Sequence, residues 1–314
     1  MEGDDVAYLE AARTVDDRAH SDAATAAFRA ALRGADRDAG GGGSDGANGD
    51  DAGGDDDDSD GVRVLEAGAG TCGLLRRLLA DGALPTGEWV AVDTDGRVLT
   101  AGRDRLRAEA TEAGYGVEPE GSTILLDAPD GDATLRVRFE RGDVREVAAD
   151  HDGDFDGVVA RSFADLLAPA EVLALLRAAA PDGWYHLPLT FDGETRFSPS
   201  HPVDDAVVEA FHGTMRNRGR AATLLSERFR EAGSPPAVDA RADWVVQGDG
   251  TGGYPADEAT FLRVVLDTVV ASVEELGAVP DGTLADWRET REAQLARGEL
   301  RYVAGNRDLF GRVP

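Results

Sequence analysis

The sequence predicts an α/β protein built on a central, mostly parallel sheet. From residue 62 to about 195, short apolar runs alternate with amphipathic helical stretches. The first of those runs passes through a glycine-rich turn straight into a helix. Alternation of this kind demands crossover connections, because parallel strands cannot be joined by a tight hairpin. Two later strand-like runs, 237–247 and 300–312, follow the point where the alternation stops.

Each element has a local reason. Residues 6–37 read as helix, with Val6, Leu9, Val15, Ala23, Ala27 and Leu32 as apolar positions. Thr14 is the expected cap of a second helix opening Val15-Asp16-Asp17, since acidic residues suit the positive end of a helix dipole. Residues 39–60 are Gly/Asp-rich, with no apolar side chain larger than Ala to offset the entropy of ordering, so a disordered linker is expected. Its acidic run lacks the alternating ligands of an EF-hand loop.

Beyond it come a strand at 62–68, a helix at 73–81, a strand at 88–93 and a helix at 97–113. The stretch 122–143 reads as a hairpin turning at Pro129-Asp130-Gly131. A strand at 155–162, a helix at 169–180 and a strand at 183–191 follow. Helices are then expected at 203–216, 220–232, 256–276 and 284–297. The organisation is an N-terminal helical extension, 1–38, and one domain, 61–314. Within that domain a ligand-binding half, 61–195, precedes an acceptor-side half, 196–314.

Charge limits the partners. The chain has 314 residues, 61 acidic against 32 basic, and a formal net charge of -29; every basic residue is Arg. Small soluble domains usually carry about 2–8 net charges. Lysine-poor acidic surfaces resemble those of salt-accumulating halophilic archaea, where hydrated carboxylates hold a protein in solution and counterions screen their repulsion. Nucleic acid is not an expected partner, because phosphate binding needs clustered basic residues. The stretches 141–147 and 216–220 are too small to reverse the field. No run approaches the roughly 18 apolar residues of a membrane span, and the N-terminus has no apolar signal core. One cysteine, Cys72, excludes an internal disulfide and fits a reducing cytoplasm. Metal-ligand spacings of the CxxC and HExxH types are absent, so no metal is expected.

The chemistry-bearing segment is Val62 to Leu79, VRVLEAGAGTCGLLRRLL. Gly68 and Gly70 can adopt positive φ, and the helix that follows offers free N–H groups to a ligand. Gly68, Gly70 and Gly73 also satisfy the dinucleotide fingerprint, with Asp93 about 20 residues on. An NAD(P)-dependent oxidoreductase is therefore one reading. Glu66, two residues before the first glycine, disagrees with it, because dinucleotide-binding strands stay apolar there.

Glu66-Ala67-Gly68-Ala69-Gly70 resembles motif I of class I S-adenosylmethionine-dependent methyltransferases. Asp93 ending its strand, the triplet Gly142-Asp143-Val144 and the run Phe155 to Phe163 extend the resemblance in order. It covers about residues 61–195. It implies a Rossmann-like, seven-stranded sheet with an antiparallel last strand, N-terminal helices and a C-terminal helical insertion. It implies S-adenosyl-L-methionine as cofactor, with Asp93, beside Thr94, taking the ribose hydroxyls. Asp143 would accept from the adenine amino group, the Val144 N–H would meet the ring, and Arg161 and Ser162 would line the methionine end. N-terminal helices often form a lid in this family, which makes Tyr8, Arg13 and Arg18 lid candidates.

Two departures matter. Cys72 stands where motif I usually has its third glycine, and a helix N-terminus there would lower a thiol pKa. Arg161-Ser162-Phe163-Ala164 replaces the Asn/Asp-Pro-Pro-aromatic motif of enzymes that methylate base amino groups, which favours a small-molecule acceptor. Methyl transfer is an in-line displacement that needs alignment, exclusion of water and sometimes a base. His201 and Glu194, in the aromatic-rich stretch after the fifth strand, are the candidate catalytic residues. His186, His212, Trp244, Tyr254, Trp287 and Tyr302 read as packing or surface residues. An aminopropyl transferase of the same fold and a non-catalytic S-adenosylmethionine-binding protein are the remaining alternatives.

Overall fold

The computed structural model describes residues 6–39, 61–131 and 133–314. The Gly/Asp-rich linker expected from residue 39 therefore lies, from residue 40 on, outside the described residues. Five strands run parallel in the middle of one ten-stranded sheet: β1 (Val62–Ala67), β2 (Gly87–Asp93), β5 (Thr134–Arg141), β6 (Gly157–Val159) and β7 (Trp184–Ser198). On one side an antiparallel hairpin, β3 (Gly116–Glu120) and β4 (Thr123–Asp127), extends it. On the other, β10 (Arg301–Arg312) runs antiparallel to β7 and pairs with β8 (Val238–Arg241) and β9 (Trp244–Val246). The order is β3-β4-β5-β2-β1-β6-β7-β10-β8, with β9 on β10. This is a Rossmann-like arrangement whose strand order reverses between β1 and β6, where doubly wound sheets hold ligands beyond the strand ends.

Helices cover both faces. α2 (Asp22–Ala39), α3 (Gly73–Ala80) and α4 (Gly96–Glu112) lie over one face, burying Phe28, Leu75 and Leu106 with Val64 and Trp89. α5 (Val144–Asp150), α6 (Pro169–Ala179) and α8 (Ala221–Glu231) cover the other, around Leu65, Val158, Leu176 and Phe229. A third core joins α1 (Val6–Arg18), α7 (Asp204–Thr214), α9 (Glu258–Leu276) and α10 (Asp281–Ala296) to the outer ends of β7 and β10. Both faces of the central strands are therefore buried, which is why they read as continuous apolar runs rather than alternating ones.

Several expectations need correction. The sheet has ten strands, not seven, because the family-like set gains the β3–β4 hairpin and the run 237–247 divides into β8 and β9 at Ala242-Asp243. β3, Gly-Val-Glu-Pro-Glu, is largely exposed and carries no apolar period to reveal it. Thr14 caps nothing, since α1 runs through it to Arg18. The break comes later, where Ser21 Oγ accepts from the Ala24 N–H at 3.3 Å and opens α2. β6 is only three residues long, and β7 continues to Ser198. Asp192-Gly193 looks like a turn in sequence but is a bulge, because Gly305 pairs with Glu194 while Asn306 pairs with Phe191. Among the described residues no helix is long and apolar enough to cross a membrane.

Candidate functional site

A cavity of about 350 Å³ opens at the carboxyl ends of β1, β2 and β6, a volume within the range of small-molecule sites. Its floor is the turn after β1. Gly68 and Gly70 sit at φ 65° and 55°, and a Cβ on Gly68 would lie 2.4 Å from the Phe163 ring, so only glycine fits. The turn is tied to β2 through the Ala69 N–H, which donates to Val92 O at 2.9 Å. Asp93 completes that tie. Its Oδ2 accepts from the Gly70 N–H at 3.0 Å and its Oδ1 from the Asp95 N–H at 3.0 Å. The carboxylate is thus held at the pocket wall by backbone donors rather than by a counter-ion.

Glu66 lies beneath the floor at 2% exposure and accepts from Trp89 Nε1 at 2.8 Å. Burial pushes its carboxyl up to about 7; the Trp89 bond and Arg161 act against that shift, and Asp93 adds to it. On the far wall, Asp143 caps α5 by accepting from the Arg145 N–H at 2.9 Å. It also pairs with the Arg145 guanidinium, which holds its carboxyl below the usual range. Arg161, in the loop after β6, reaches over Gly73 and pairs with Asp16 Oδ2 at 3.2 Å and Asp17 Oδ1 at 3.5 Å. Its neighbour Ser162 has φ 50°, and the Ser162 Oγ is buried without a hydrogen bond.

The roof is α1, which contributes Leu9, Arg13 and Asp16. Ion pairs hold it down. Arg76, itself 2% exposed, pairs with Glu10 at 2.7 Å and Glu109 at 2.6 Å; Arg105 meets Glu10 at 3.1 Å.

All nine residues expected at the cofactor line this cavity: Glu66, Gly68, Gly70, Asp93, Thr94, Asp143, Val144, Arg161 and Ser162. The two expected catalytic residues do not. Glu194 pairs with Arg196 and with Arg241, and His201 Nε2 lies 3.4 Å from Asp286 Oδ2. β7 runs on to Ser198, so Glu194 lies past the rim on a partly exposed stretch, and His201 follows the end of the strand. Of the lid candidates, Arg13 lines the cavity, whereas Tyr8 stacks on Phe261 and Arg18 pairs with the buried Glu258.

Cys72 is fully buried and packs close against Gly102. Burial pushes its thiol well above the ordinary value, overriding any effect of the helix end. It sits at φ 58°, a conformation that the usual glycine would adopt without strain. Sequence reasoning missed Leu9 and Asp16 as pocket residues, because nothing local marks where a preceding helix will dock. Trp244, Trp287 and Tyr302 are buried packing residues, as expected. Among the described residues no group of three or more His, Cys, Asp or Glu is placed to hold a metal ion.

No family model and no curated sequence matches the chain. Solved structures do resemble it in chain path. One, described for the conversion of a disulfide bond into a thioacetal group during echinomycin biosynthesis, is 16% identical over 80% of this chain and 75% of its own, with a TM-score of 0.40. A putative sarcosine dimethylglycine methyltransferase from Galdieria sulphuraria is 12% identical over 80% of this chain and 77% of its own, with a TM-score of 0.36. Mycolic acid cyclopropane synthase CmaA1, complexed with SAH and CTAB, is 11% identical over 79% of this chain and 78% of its own, with a TM-score of 0.37. Likeness this distant adds nothing to the functional reading, which rests on the pocket.

Proposed function

We propose that the chain is an S-adenosylmethionine-dependent methyltransferase acting on a small-molecule acceptor. The observation that carries this is Asp93, fixed by two backbone N–H groups at the wall of a glycine-floored cavity. The residues present fit the cofactor. Gly68 and Gly70 bring bare backbone to the cavity, and the buried Ser162 Oγ lacks a partner that a polar ligand would supply. Carboxylates and guanidiniums line the cavity together, Arg13, Arg145 and Arg161 among them, a mixture that suits the zwitterionic amino-acid end of the cofactor.

Asp93 would hold the ribose hydroxyls, Asp143 and the Val144 N–H the adenine, and Glu66, Arg161 and Ser162 the amino-acid end. When bound, the cofactor supplies a methyl group activated by a positively charged sulfur. The chain's part is to hold that group still and to keep water out. Leu9 on α1 and Phe163 beside Gly68 close the cavity, and we take α1 as a lid, while α2 covers the sheet. The charge of -29 is taken as adaptation to multimolar salt.

The test is calorimetric titration with S-adenosylhomocysteine and, separately, NAD(H), in multimolar KCl. Tight S-adenosylhomocysteine binding that weakens about 100-fold or more in Asp93→Ala is expected, as charged hydrogen bonds contribute about 1.5–3 kcal/mol each. Binding of NAD(H) alone would move the function to hydride transfer.

A further inference from the structure

Among the carboxylates that line the cavity, Asp16 stands on the roof helix rather than beneath the floor, and it is neither of the residues singled out in sequence. Asp16 lies on the inner face of α1 with its side chain 16% exposed. Its Oδ2 faces Arg161 at 3.2 Å, while its buried Oδ1 has no hydrogen bond of normal geometry; the Trp244 indole N–H lies near the carboxylate and favours its ionised form. Asp16 also borders a second, smaller cavity of about 50 Å³. That space runs between the two N-terminal helices and the sheet, lined by Asp17, His20, Arg161, His186 and Asp308 among others. It has room for about one or two waters, and its mostly apolar lining is broken by these polar groups.

We propose that Asp16 takes the proton released when the acceptor is methylated, so that the acceptor carries a hydrogen on its reacting oxygen or nitrogen. The inference rests on methyl transfer being the reaction. The acceptor's lone pair forms the new bond to the methyl carbon as the carbon–sulfur bond breaks, leaving its pair on sulfur. The acceptor's X–H bond leaves its electrons on X, and the proton passes to Asp16 Oδ1. From there the smaller cavity leads outward to His20, whose ring is about one-third exposed.

The surroundings tune Asp16 for this. Burial pushes its carboxyl up to about 6, Arg161 pulls it down, and Asp17 pushes it further up. Tyr8 on the same helix and the Trp244 indole of β9 also face it, and Arg13 and Glu66 share its cavity. His186 stays neutral beside the route, because burial lowers its ring to about 3. A carboxylate near 6 is ionised at neutral pH yet basic enough to accept a proton in the transition state.

The experiment measures S-adenosylhomocysteine formation from S-adenosylmethionine with a panel of simple phenols, alcohols and primary amines, and with trimethylamine and dimethyl sulfide as acceptors lacking a reactive X–H. It compares the wild type with Asp16→Asn, Asp16→Glu and Asp16→Ser. Binding of S-adenosylhomocysteine is followed separately by calorimetry. The expected result is wild-type turnover with at least one X–H acceptor and an acid limb near pH 6. Asp16→Asn should bind S-adenosylhomocysteine within about threefold of wild type yet turn over about 100-fold more slowly, with that limb gone. Asp16→Glu should recover part of the rate; Asp16→Ser should match Asp16→Asn and stands in for it if Asp16→Asn does not fold. Turnover of Asp16→Asn or Asp16→Ser within threefold of wild type overturns the proposal, as does turnover only with the X–H-free acceptors or with none of the panel. Failure of the wild type to bind S-adenosylhomocysteine removes the underlying methyltransferase reading instead.

Discussion

The floor and the roof of the cavity are made by different physics. The floor is backbone: two glycines at positive φ, an aspartate bonded to N–H groups, and a strand edge beneath. The roof is a single helix that buries its apolar face on α9 and β9 and meets the cavity side through side-chain charge, Glu10 on Arg76 and Arg105, and Asp16 and Asp17 on Arg161. Backbone geometry is independent of salt and nearly all-or-none, whereas partly exposed ion pairs weaken by degrees as ions screen them. The floor should therefore resist salt, and the charged side of the roof should respond to it.

Damage to the floor should have the largest effect. Gly68→Ala places a Cβ at 2.4 Å from the Phe163 ring and a side chain at φ 65°. A loss of about 2–4 kcal/mol in denaturant unfolding is expected, together with loss of S-adenosylhomocysteine binding. Wild-type stability in that variant would show that the turn can be rebuilt.

A cut in the roof should cost less. Arg76→Met keeps the stem buried but leaves Glu10 and Glu109 without their main counter-charge. Because those carboxylates are partly exposed, about 1–3 kcal/mol is expected, with weaker ligand binding and a shallower salt dependence of affinity. An unchanged salt dependence would mean that α1 is held by its apolar contacts instead.

pH separates the two regions further. Glu66 has its folded carboxyl raised to about 7 from an ordinary 4.5, so ionising it in place opposes folding. The folded form binds the extra proton between these values, and stability from this group falls as pH rises through that window. Glu66→Gln, which keeps an acceptor for Trp89 Nε1, should be more stable than wild type by up to about 3 kcal/mol at pH 8, and equal to it below about pH 4.5. Thermal melts at both pH values decide it.

Cys72 gives the smallest effect. Removing the thiol loses buried area but relieves φ 58°, so Cys72→Gly should shift stability by less than about 1 kcal/mol. Cys72→Val, branched at a left-handed position against the close-packed Gly102, should cost about 2 kcal/mol or more.

The same contrast decides what could be read from the sequence. The floor is local: strand, glycine turn, helix and the aspartate 20-odd residues on are close in the chain, and their residue types follow from their backbone conformations. Glu66, Gly68, Gly70, Asp93 and Thr94 come together for that reason, and Asp143, Val144, Arg161 and Ser162 join them because they follow parallel strands paired into the same sheet. The roof is not local. Asp16 and Leu9 reach the cavity only because α1 docks on α9 and β9, and that docking depends on residues about 230 or more positions away. His201 and Glu194 went astray for a related reason. A Gly after an Asp signals a turn, and only the partner strand β10 reveals that it is a bulge in a strand running on to Ser198.

β10 also shapes the order in which the molecule can assemble. It lies between β7 and β8 in space yet follows both in the chain. On a ribosome, β7 and β8 emerge while the strand that will separate them is still unmade. Through that interval both present unpaired edges of backbone N–H and C=O groups, open to wrong partners. Pairing over such sequence distances is slow, because much loop entropy is lost before any contact compensates. The many carboxylates of this chain then have a second use, keeping half-made copies apart until the missing strand arrives.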